Sequence, residues 1–156
     1  MRALNTIAAA ACLLALTFGA IAAPGKEKKD DKDDAKKMDG EWQVTAWVQG
    51  GTALGAGALD GCTWTVKGDK YTFVMGGNTE EGTFKLDPAK KPPTIDLDIT
   101  AGNCKGNAQP GIYKIEGDTI TFCFNRPGAA GRPTEFKSTE EGDTFIVATL
   151  KRKKDD

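Results

Sequence analysis

From Trp42 to Leu150 the chain alternates apolar and polar residues with a period of two, and Gly-Asp pairs at 68–69, 117–118 and 142–143 punctuate it. A strand buried on one face alternates in this way, because successive side chains point to opposite sides of a sheet. Glycine first in a two-residue loop suits a type II′ turn, and Asp tolerates the left-handed conformation of type I′. Counting outward from Gly68-Asp69 pairs Val66 with Tyr71 and Trp64 with Phe73, and counting from Gly117-Asp118 pairs Ile115 with Ile120 and Tyr113 with Phe122. The first run, Trp42 to Val48, puts Trp42, Val44, Ala46 and Val48 on one face. The runs 82–86 and 94–99 add Phe84, Leu86, Ile95, Leu97 and Ile99, and a last hairpin joins a strand at Phe136 to the run 145–150. The pattern predicts an all-β, antiparallel up-and-down meander of about eight or nine strands. Closure into a barrel removes exposed edges; a two-sheet sandwich is the alternative.

The flanks read differently. Arg2, the apolar run from Ile7 to Ile21 and the small residues of Ala20-Ile21-Ala22 read as a secretory signal peptide over 1–22, cut after Ala22. The run is too short for a membrane span. Residues 23–37, with their Lys/Asp-rich stretch, are expected to be a disordered, solvated tether. The domain is expected over 38–152, and 153–156 form a charged tail. These features predict a protein outside the cytoplasm, periplasmic or extracellular.

Between 38 and 150 there are 10 basic and 15 acidic side chains, a net of −5, which argues against nucleic acid or an anionic membrane as partner. The chain has no His, so Ser-His-Asp, Cys-His and imidazole-metal chemistry are excluded. No other catalytic constellation stands out, and no cofactor or metal is called for.

Two resemblances follow from these residues. Gly40-Glu41-Trp42, at the start of the first strand, resembles the G-x-W signature of lipocalins. That likeness implies a Trp plugging the barrel base with a late Arg packed over it, here Arg152. The succession GEWQV, KGDKYTF, EEGTFKLDPAKKPPTIDL, PGIYKIEGDTITFCF and RPTEF resembles a lipocalin-like domain family of exported planctomycete proteins, across most of residues 38–152. The family has no established activity or catalytic residues, so the resemblance implies a fold and an export route. The Gly- and Ala-rich segment 49–62 departs from the charged stretch expected there.

An up-and-down chain sorts its connections onto two ends, with 49–62, 76–81, 100–111 and 125–133 together at one. Long loops on a rigid scaffold concentrate binding residues, and the glycines of 49–62 suit a lid. The aromatic residues Trp64, Tyr71, Phe73, Tyr113 and Phe122 face the interior as candidate ligand contacts or as filling. Arg126 and Arg132 near the mouth are candidates for binding a carboxylate or phosphate. Glu80-Glu81 and Glu140-Glu141 read as solubilising turn acids. Export favours a disulfide, and Cys62–Cys104 is the expected pair, with Cys123 left in a strand. The reading is a monomeric binding module for a small hydrophobic or amphipathic molecule; the alternative is a packed barrel serving as a structural or interaction module for an envelope protein.

Overall fold

The computed structural model describes residues 31–140 and 145–154; the expected signal peptide lies outside them. They form two short helices, α1 (Asp31–Met38) and α2 (Ala56–Leu59), and nine strands. The strands are β1 (Gly40–Gln49), β2 (Thr52–Ala53), β3 (Thr63–Lys67), β4 (Lys70–Met75), β5 (Asn78–Asp87), β6 (Thr94–Ala101), β7 (Ala108–Glu116), β8 (Thr119–Phe124) and β9 (Ile146–Arg152). Every pairing is antiparallel, and β9 returns to β1, so eight strands close a barrel. The short β2 hangs on the outer part of β1 as a ninth strand. Both hairpin registers counted from the Gly-Asp turns are the observed ones. Gly68 and Gly117 sit at φ 65° and 61°, conformations that cost glycine little.

Three expectations are corrected. Phe136 lies in no strand: β8 bonds directly to β9, and Phe136 instead covers Lys114, whose Nζ is 5.5 Å from its ring. Residues 125–140 therefore hold no strand, and Gly142-Asp143 lies outside the described residues. In β1 a bulge between Val44 and Ala46 inserts Thr45 as an extra residue. A one-residue slip reverses which face each side chain takes, so Trp47 turns inward and Ala46 is exposed. Finally, the expected tether is helical over its last residues. An eight-residue helix is marginal alone; α1 is held by its contacts with the barrel.

Those contacts close one end of the barrel. Met38 is buried, and its carbonyl accepts from Trp42 Nε1 at 2.7 Å. Asp34, 1% exposed, accepts from the Tyr113 hydroxyl at 2.8 Å and pairs with Lys37 at 3.0 Å. Acids in the first turn and lysines in the last also suit the helix dipole. Arg152 lies 4.2 Å over the Trp42 ring and donates to the carbonyls of Asp39 and Lys37 at 2.7 and 2.5 Å. Gly40, at φ 119°, leaves room for this fork: a Cβ there would come within 2.9 Å of the Arg152 guanidinium.

Candidate functional site

The opposite end is not filled. Where β1 bends past its bulge, a cavity of about 200 Å³ opens between the strands. Trp47 on β1, Trp64 on β3 and Phe73 on β4 form one aromatic wall; Phe122 and Phe124 on β8 form another, with Ala148 and Leu150 of β9 between. Trp47 stacks with Phe73 at 5.8 Å, and Trp64 lies 5.3 Å from Phe122. Met75, Pro127 and Ile146 also line it. Period-two alternation produces this lining, because inward positions from every strand converge on the axis.

Two polar side chains interrupt the apolar wall. Gln109 donates to the Asn125 carbonyl at 2.7 Å. Glu80 accepts from the Tyr71 hydroxyl at 3.0 Å. Burial pushes the Glu80 carboxyl above the usual carboxylate range, and the Tyr71 bond pulls the other way. Burial, with Glu80 beside it, pushes the Tyr71 phenol far above its ordinary value, so Tyr71 stays protonated and donates. Glycine makes this pair possible: a Cβ on Gly82 would lie 2.7 Å from the Tyr71 ring. The buried indole N–H of Trp64 has no hydrogen-bond partner among the described residues.

Trp64, Phe73 and Phe122 thus line the cavity, whereas Tyr71 stands behind it, stacked on Trp64 at 4.5 Å. Tyr113 belongs to the closed end. Neither arginine is part of the lining. Arg126 is exposed. Arg132 donates to the Ile95 and Gly111 carbonyls at 3.1 and 2.7 Å and pairs with Asp96 at 2.5 Å. Its role is to pin the segment that follows β8 to β6 and β7.

The expected lid and disulfide are also corrected. No residue of 49–62 lines the cavity; β2 extends β1, and Leu59 of α2 is buried in the core. Cys62 and Cys104 are not joined. Cys62 is fully buried at the start of β3, its thiol 3.5 Å from the Ala58 carbonyl. Cys104 follows β6, three strands further round the barrel. Adjacent strands are about 4.8 Å apart, whereas a disulfide needs Cα atoms within about 7 Å.

Comparison with protein-family models, curated proteins and solved structures finds no match. The geometry alone carries the functional argument. Among the described residues no cluster of three or more Cys, Asp and Glu side chains is placed to hold a metal ion. No helix among them is long and apolar enough to cross a membrane.

Glu80 is the residue that the sequence reading missed. It was expected in a turn, but β5 begins at Asn78. Stepping back by twos from Leu86 and Phe84 through Gly82 puts Glu80 inside, and that signal was present in the sequence.

Proposed function

We propose that the protein is an exported binding module that holds a small, mainly apolar molecule at the open end of the barrel, and that it is not an enzyme. The observation that carries this reading is the cavity itself, walled by aromatic rings in a barrel whose other end is packed shut. A dry apolar cavity of about 150 Å³ accepts benzene, so about 200 Å³ suits a single ring with a short substituent. It is smaller than drug-sized sites, which run to roughly 300–1,000 Å³. Glu80 in the lining favours a molecule that carries a polar group over a pure hydrocarbon.

The packing of the closed end supports a second reading, in which the barrel is a structural or interaction module of the cell envelope. Titration with benzyl alcohol, followed by tryptophan fluorescence, separates the two. Trp47 and Trp64 report occupancy directly. Saturable quenching that is lost in Ala148→Phe, with the fold retained by circular dichroism, supports the binding module. No saturable change in the wild-type protein supports the packed barrel.

A further inference from the structure

The deciding feature is the charge balance of the cavity wall. Glu80 is its one ionisable lining residue; no Lys or Arg lines it. Among the described residues Glu80 has no ion pair, and its one hydrogen bond comes from Tyr71. Tyr71 is a donor, so it stabilises the carboxylate and supplies no positive charge. Glu80 is half-buried, and a carboxylate that loses part of its hydration on an apolar wall without a counter-cation is destabilised; a cationic ligand offsets that loss. The neighbouring rings add to this selectivity. Trp47, Trp64 and Phe73 line the same cavity, and an aromatic ring attracts an ammonium group placed over its face. Glu80, Phe73 and Met75 also line a second groove that reaches Asn103 and Cys104, so the acid stands where the interior meets the surface.

We propose that the cavity selects small organic amines, with the ammonium group on Glu80 and the apolar body against Trp64, Phe73 and Phe122. This inference deepens the binding-module reading and rests on it. An anionic ligand is disfavoured by the same geometry, because the Arg126 and Arg132 guanidinium groups are outside the cavity.

A charge series of one shape tests it: benzylammonium, benzyl alcohol and benzoate, each titrated into the full chain at pH 7 and read by tryptophan fluorescence. Benzylammonium is expected to bind at least tenfold more tightly than benzyl alcohol, and benzoate more weakly than either. In Glu80→Gln the tenfold preference for benzylammonium over benzyl alcohol disappears. If Glu80→Gln does not fold, the wild-type series decides alone. Benzyl alcohol binding as tightly as benzylammonium overturns the amine inference and leaves the cavity as a binding site. Binding of none of the three overturns both. A preference that survives in Glu80→Gln also overturns the assignment to Glu80.

Discussion

Replacing Arg152 with Lys tests the closed end, on which the shape of the cavity depends. The guanidinium bridges two backbone carbonyls, Asp39 and Lys37, while lying flat over Trp42. Lysine keeps the charge and one contact but cannot make the fork. One charge-assisted hydrogen bond is therefore lost, about 1.5–3 kcal/mol, with roughly 0.5–1 kcal/mol of stacking on the ring. The Arg152 side chain is 31% exposed, so solvent recovers part of this, and the net loss is about 2 kcal/mol. The 3.6 Å pair with Asp118 contributes little at the surface and lysine retains it. In urea the midpoint should fall with an unchanged slope, since the exposed area is the same. Thermal melting should drop by about 6–10 °C for a domain of this size. Hydrogen exchange adds locality: the Asp39 amide, bonded to the Ala35 carbonyl at 3.1 Å, should lose protection before the barrel does. A stability within about 0.5 kcal/mol of wild type, the usual range for a surface change, with unaltered exchange at Asp39, would refute the clamp.

Three further outcomes follow from the same contacts. Tyr113→Phe removes the donor to buried Asp34 and should cost about 1–3 kcal/mol; unchanged urea unfolding would contradict that bond. The folded-state pKa of Glu80 is raised, so its protonated form contributes stability that is fully present below about pH 4.3 and is lost as pH rises through the folded pKa. Glu80→Gln, without ligand, should therefore be more stable than wild type at pH 7, and the gap should close towards pH 4. A constant gap or a reversed ordering in unfolding curves across that range would count against a partly desolvated carboxylate. Thiol labelling of the native protein should modify part-exposed Cys104 well before fully buried Cys62, and equal resistance at both would argue for a bond between them.

The barrel was legible because its hairpins are short. Gly68-Asp69 and Gly117-Asp118 leave one register each, and the register then dictates which residues meet across the strands. The plug was legible through Gly40, Trp42 and Arg152, although the partner that α1 supplies was hidden in a Lys/Asp-rich stretch without apolar periodicity. What stayed hidden depends on single-residue shifts or on tertiary contacts. Thr45 carries no mark of a bulge, yet it moves Trp47 from outside to inside and so builds one wall of the cavity. Phe136 looked like a strand residue, but its β-propensity is spent against Lys114 on the outer surface. Arg132 looked available for a ligand because its three partners, at Ile95, Gly111 and Asp96, come from strands far away in sequence. Cys62 and Cys104 share an end of the barrel, but sequence carries no measure of the strands between them.

The central claim is that the barrel is hollow at one end, and native mass spectrometry of the protein purified from its own host tests it most directly. The account predicts a reproducible mass excess that disappears on denaturation, or a bare chain that takes up one equivalent of benzylammonium or benzyl alcohol. A bare chain that takes up neither would contradict it, and the interior would then be filled.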